Sequence, residues 1–166
     1  LEKVFEVSKN SILRRLAAKG PQGRKEELVR IKHTIEPQIK YLFVPSVDQS
    51  DTPLFDSNDR LARRNVVTYG VTQKLYGRFS SKDKFGAKEA TLRKGRIREL
   101  ARLSVSQSLD IDEARKNDSA VDKVSDMAVN LTLIPSYYLR FNARTNYDID
   151  SLAFRSYAIG AQLLDS

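Results

Sequence analysis

Basic side chains recur at even spacing along this chain. Lys32, Lys40, Lys74, Arg98, Arg102, Arg140 and Arg144 each fall in a stretch where polar and apolar residues alternate. Lysine and arginine in such rows are donors of charge-assisted hydrogen bonds, suited to phosphate and carboxylate groups. The competing reading pairs each with Glu36, Asp126 or another neighbour, as ordinary wall charges. Other chemistry is sparse. His33 is the only histidine and cysteine is absent, so neither a histidine cluster nor a thiolate metal site can form, and no disulfide framework exists. His33 falls on an apolar face, where a structural or interfacial role is favoured. Asp48, Asp51, Asp56 and Asp59 crowd one loop, but their spacing departs from Asp-x-Asp-x-Asp-Gly and no closing glutamate follows. They read as aspartates bonded to their own loop backbone. No G-x-S-x-G elbow is present. The residues therefore predict no enzyme, no metal and no cofactor.

The elements that must carry the cations are strands. Ile31 to Val44 places Ile31, His33, Ile35, Pro37, Ile39, Tyr41 and Phe43 on one face and Lys32, Thr34, Glu36, Gln38 and Lys40 on the other. Pro37 has no N–H to give a ladder, which predicts a bulge or local break. Asn65–Phe79 alternates again, with Val67, Tyr69, Val71, Leu75 and Phe79 opposite Val66, Thr68, Gly70, Thr72, Lys74 and Arg78, and with Gln73 interrupting the apolar side. Gly95–Ile111 echoes it, although Glu99 and Gln107 fall on the apolar side and Leu100 on the polar one. A helix over Arg96–Leu103 competes there, but the Ser-rich continuation favours a strand throughout. Ser125–Ile134 and Tyr138–Tyr147 flank a tight turn at Pro135-Ser136 and read as an antiparallel hairpin. Leu152–Leu164 is the last strand, with Tyr157, Ile159, Ala161 and Leu163 on its apolar face. Leu1–Val7 reads as a short extra strand, and 8–30 as a loop or short helix with Ser11 as its cap and Gly20-Pro21 as its stop.

The chain has 166 residues, enough for one ordinary domain, and a net charge of +8 from 29 basic and 21 acidic residues. The charges are intermixed rather than blocked, as on a solvated mixed surface. No apolar run is long enough for a membrane helix, which does not bear on a barrel, whose strands are half polar. The N-terminus, LEKVFEVSKN, is neither a signal peptide nor an initiator sequence, so an exported protein would carry this chain as an internal piece.

Strands of this length exceed the usual five or six residues of soluble sheets and match the roughly nine to eleven that cross a membrane in a barrel. The expected fold is all-β: an antiparallel meander of six or seven long strands over 31–164, forming with 1–30 a single segment of a transmembrane outer-membrane barrel. Loops 45–64 and 112–124 would be extracellular, the turn at Pro135 and the connector 80–94 periplasmic. Tyr41, Phe43, Tyr69, Phe79 and Tyr147 near strand ends fit aromatic girdles, with Tyr138 the exception. Seven strands cannot close a typical bacterial barrel, so the chain reads as a fragment. A soluble basic β-domain that binds nucleic acid would set aromatics beside its cations; here they mostly lie opposite, so no nucleic-acid partner is expected. A porin-like barrel stays open on periodicity alone.

The literal wording narrows this. KHTIEPQIKYLFVPSVDQSDTPLFDSNDR followed by RNVVTYGVTQKLYGRF resembles the C-terminal barrel region of the LPS-assembly outer-membrane protein family (LptD, also called OstA), with ARLSVSQSLD and LTLIPSYYLRFNARTNYD fitting more loosely. The resemblance covers about Arg30 to Leu164; Ser8–Gly23 matches nothing in it. It implies location in the outer membrane, lipopolysaccharide as cargo and outer-membrane lipid as surroundings. It also implies an outer-membrane lipoprotein plug, periplasmic LPS-bridge proteins as partners, and a passive role in inserting LPS into the outer leaflet. The family's periplasmic jellyroll domain and its cysteines have no counterpart in these residues.

Overall fold

The computed structural model describes residues 1–6, 26–50, 61–81, 96–116 and 123–164. The strands are β1 (Glu2–Glu6), β2 (Glu26–Val44), β3 (Arg64–Ser81), β4 (Arg96–Asp110), β5 (Met127–Leu133), β6 (Leu139–Asp148) and β7 (Ala153–Leu163). One short helix, α1 (Ile111–Arg115), follows β4. All seven strands lie in one sheet in sequence order, each antiparallel to the next. The helix or loop expected over Ser8–Gly23, and Asp51, Asp56 and Asp59, lie outside the described residues.

Strand β2 begins at Glu26 rather than Ile31, inside what the sequence assigns to a loop. The reason is a register shift between Leu28 and Arg30. It inserts one residue and reverses the side-chain parity, so the alternation that marks the rest of the strand is lost there. Two further shifts occur, beside Leu75/Tyr76 in the β3–β4 pair and beside Asn146/Tyr147 in the β6–β7 pair. All three sit towards strand ends. Between them the register is unbroken.

Pro37 corrects an expectation. It pairs with Val71 in continuous register, with neither bulge nor break. The Ile35 N–H donates to the Leu1 carbonyl at 2.9 Å, so the odd-numbered amides here point away from β3, towards the β1 side. Pro37 is two residues further on, so its missing N–H takes nothing from the β2–β3 ladder. Strand β5 has only seven residues, yet its pairing with β4 continues beyond both ends. Ser125 N–H donates to the Ser108 carbonyl at 2.8 Å, and Ile134 N–H to the Leu100 carbonyl at 2.7 Å.

Register fixes the two faces. One carries Ile35, Ile39, Val71, Leu103, Val105, Val129, Leu131, Ala143 and Ile159; the other carries Glu36, Lys74, Arg102, Thr132, Asn142 and Gly160. The apolar face is bare over most of its area, with Ile39 78%, Ile159 82% and Leu163 86% exposed. Among the described residues only Leu28 and Phe79 form a buried core, packed by Ile31 and Leu100 at the end of the sheet where β2 begins. Gly77 makes room for them, because a Cβ there would stand 2.8–2.9 Å from Leu28, Leu100 and Phe79. Most aromatics on the apolar face lie towards its ends, Tyr41, Phe43, Tyr69, Tyr147 and Phe154 at one and Phe5, Phe79 and Phe141 at the other, with Tyr157 in the middle.

On the polar face the long strands β3 and β4 approach closely at Gly70. A Cβ added at Gly70 would stand 3.0 Å from Ser106 Cβ and 2.6 Å from the Val105 carbonyl oxygen. Opposed Cβ atoms are ordinarily about 4.5–5.5 Å apart, so β3 and β4 converge on this side.

Candidate functional site on the polar face

Cross-strand registration turns the alternation of single strands into transverse rows. Thr34, Lys74, Arg102, Thr132, Asn142 and Gly160 form one row; Glu36, Thr72, Ser104, Asn130, Arg144 and Ala158 form the next. Beyond them lies Gln38, Gly70, Ser106, Ala128, Asn146 and Ser156, then Lys40, Thr68 and Ser108. Charge concentrates towards the Pro135 end, hydroxyls and amides towards the loop 45–63 end.

Most of the predicted cations are engaged. Lys32 pairs with Glu2 at 2.8 Å, Lys74 with Glu36 at 2.6 Å, and Arg102 with Glu99 at 2.8 Å. Arg144 Nε donates to Asn130 Oδ1 at 3.0 Å. Arg140 shares the face, opposite Gln162, and its Nε is buried without a partner. Lys40 stands apart: among the described residues its ammonium has no hydrogen-bond or ion-pair partner. Hydroxyl and amide pairs fill the wall between them, Thr68 with Ser108 at 2.8 Å, Thr72 with Ser104 at 3.3 Å, and Thr132 with Asn142 at 3.2 Å.

Arg98 lies on the other face. The extra residue in β4 at the Leu75/Tyr76 shift reverses parity, so Arg98 opposes Gly77 while Arg102 opposes Lys74. The same shift brings Glu99 onto the polar face beside Arg102 and lets Leu100 pack on the buried pair, the reverse of what strict alternation predicts. The Arg98 guanidinium is sandwiched 4.5 Å from the Phe79 ring centre and 4.3 Å from that of Tyr137. Tyr137 in turn donates to Glu26 Oε2 at 3.1 Å, pinning the 134–138 turn across the start of β2.

The polar residues that interrupt the apolar face are partnered. His33 Nε2 lies 3.2 Å from Gln73 Oε1, and Tyr69 donates to Gln107 Oε1 at 2.7 Å. At the loop end, Tyr41 donates to Asn65 Oδ1 at 3.0 Å, and Asn65 donates to Asp112 Oδ1 at 3.0 Å. Arg63 grips the same carboxylate through Nε and Nη2 at 2.9 and 3.1 Å. The Asn65 and Arg63 donors hold the Asp112 carboxyl below the ordinary aspartate value. Asp110 caps α1, accepting from the Asp112 and Glu113 amides at 2.9 and 3.2 Å. Asp48, one of the crowded loop aspartates, accepts from the Ser50 amide at 3.0 Å as expected of a turn. Among the described residues no cluster of metal-ligating side chains occurs, and no helix is long and apolar enough to cross a membrane.

The family model described as "LptD: LPS transport system D" matches residues 21–166. Individual relatives are distant. The "LPS-assembly protein LptD" of Pseudomonas putida strain W619 is 28% identical over a 148-position alignment covering 75% of this chain and 14% of that protein. The protein of the same name from Cupriavidus metallidurans is 25% identical over 156 positions, covering 79% and 17%. That of Methylococcus capsulatus is 35% identical over 66 residues, 29% of this chain and 6% of the relative. The chain thus spans less than a fifth of the length of these relatives. No solved structure matches it.

Proposed function

The chain belongs to the LptD family, LPS transport system D, and on that premise we propose that its sheet is one section of the wall of an outer-membrane β-barrel. The section lies in the C-terminal part of a longer protein and helps pass lipopolysaccharide into the outer leaflet. One observation carries the reading: an uninterrupted antiparallel meander with a bare apolar face backed by a continuous polar one. In water, each exposed Ile, Leu or Phe forgoes about 1.5–3 kcal/mol of burial. In hydrocarbon the same face is solvated, and the cations are what must be kept out. A Lys or Arg facing lipid at the midplane costs about 2–4 kcal/mol. Lys74, Arg102 and Arg144 together would cost about 6–12 kcal/mol, comparable to the whole stability of a typical domain. The polar face therefore belongs to the wet lumen.

Length is consistent. At about 3.3 Å per residue, β2 spans about 60 Å, and a tilt of about 40° still exceeds a hydrocarbon core of about 30 Å. The strand ends at Val44, Arg64 and Asp110 then face outward, and the 134–138 turn faces the periplasm.

On the lumen side, Lys32, Lys40, Lys74, Arg102, Arg140 and Arg144 are the candidate contacts for the anionic groups of lipopolysaccharide. Arg98 is left as a clasp for the periplasmic turn. The wall is passive, and its partners would be the lipoprotein plug, the periplasmic bridge and the outer-membrane lipid. Photocrosslinkers placed along the polar face of the full-length protein test this. Capture of lipopolysaccharide from several positions is expected; capture from none refutes the contact claim.

A further inference from the structure

Gly70 leaves a dip in the polar wall, and three of the side chains around it are unspent. The depression has a volume of about 150 Å³ and is lined by Gln38, Lys40, Thr68, Thr72, Ser104 and Ser106. Thr68 and Thr72 are bonded to Ser108 and Ser104 across the strand pair. The side chains of Gln38, Ser106 and Lys40 have no partner among the described residues. Gln38 and Ser106 flank Gly70 in one row, and Lys40 stands one row further. The adjacent carboxylate on β2, Glu36, is committed to Lys74. At about 30 Å³ per water, the space holds about five waters. That suits one phosphate or carboxylate group with part of its hydration.

We propose that Lys40, Gln38 and Ser106 form a subsite over Gly70 for a single anionic substituent, phosphate or carboxylate, on a passing saccharide. The cation supplies charge, and the amide and hydroxyl supply neutral donors. This site rests on the lumen reading above. Elsewhere on the wall, Lys32, Lys74 and Arg102 are each held by a carboxylate, which leaves them less to offer an incoming anion.

The test uses the full-length protein in its membrane, with a photocrosslinker at Ala128, which neighbours Ser106 in the same row, and a second at Gly160 as a remote wall position. Cells make lipopolysaccharide whose core sugars either carry or lack phosphate and carboxylate groups. Capture at Ala128 is expected with the anionic core. It should fall at least threefold in Lys40→Gln, recover in Lys40→Arg, and be insensitive to both substitutions with the neutral core. Unchanged capture in Lys40→Gln with the anionic core overturns the subsite. So does capture at Gly160 with none at Ala128, which leaves the lumen reading standing. Capture at neither position removes both.

Discussion

A lysine or arginine on this wall is defined by what already holds it. Lys74 sits 2.6 Å from Glu36 and Arg102 2.8 Å from Glu99. Exposed pairs of this kind contribute about 0–1 kcal/mol each, so they tune the wall's field more than its stability. Beside α1, Asp112 is the residue to titrate. Its folded pKa is depressed by Asn65 and Arg63, so its stabilising effect is full above the ordinary value of 3.8 and fades as pH falls through the lower folded value. A nitroxide on a cysteine replacing Arg115 should be held still near neutral pH and gain mobility as pH falls below 3.8. In Asp112→Ala it should be mobile at both; unchanged mobility across that range would contradict the assignment. In the turn joining β6 to β7, Leu152 adopts φ 51°, a left-handed conformation that costs a non-glycine residue about 1–2 kcal/mol. Leu152→Gly is expected to stabilise the refolded protein by about 1 kcal/mol, read as a higher denaturant midpoint. At this scale the sequence placed six of the predicted cations on one face correctly. Arg98 escaped because a bulge leaves no residue type of its own. Its trace was the adjacent pair Glu99 and Leu100, both out of phase, which is what one inserted residue produces.

The strands show where periodicity suffices and where it stops. Within β2, β3 and β4 the alternation read from the chain matches the register from Ile31 to Val44 and from Asn65 to Leu75. It fails at the bulged ends, where parity switches and Glu26–Arg30 no longer looks like a strand. Pro37 was misread for a different reason. Residue type announces the missing N–H, but only the sheet decides whether that N–H would have faced a partner. Pro37→Val is therefore expected to change stability by under about 1 kcal/mol, whereas a proline in the paired interior, at Val71, Val105 or Val129, should prevent assembly. Heat-modifiable gel mobility would read both. The glycines give a matched contrast. Gly70→Val meets the Val105 carbonyl and Ser106 Cβ, while at Gly160 nothing lies within 4 Å. The first should cost about 1–3 kcal/mol and slow assembly; the second should be tolerated. Equal behaviour of the two would mean that β3 and β4 do not converge as described.

For the sheet as a whole, the decisive property is an apolar face with almost no core behind it. Leu28 and Phe79 are the only buried apolar residues among those described, so the described sheet has little core of its own. Its aliphatic band lies between two sets of aromatics, as expected of a wall between two interfaces. The open outer edges of β1 and β7 offer unpaired ladders that further strands would satisfy. The alternation that revealed these faces says nothing about cargo, which entered through the wording of the HTIEP and DQSD stretches and through the family match. Everything functional depends on which face meets lipid. Single cysteines along β2 and β3 of the full-length protein in outer membranes, each carrying a nitroxide and probed with a lipid-soluble and a water-soluble relaxant, measure that directly. Ile35, Ile39, Val71 and Val67 should report lipid, and Glu36, Gln38, Thr72 and Thr68 water, in strict alternation. Water at both sets, or lipid at the second, would contradict a membrane wall with a polar lumen.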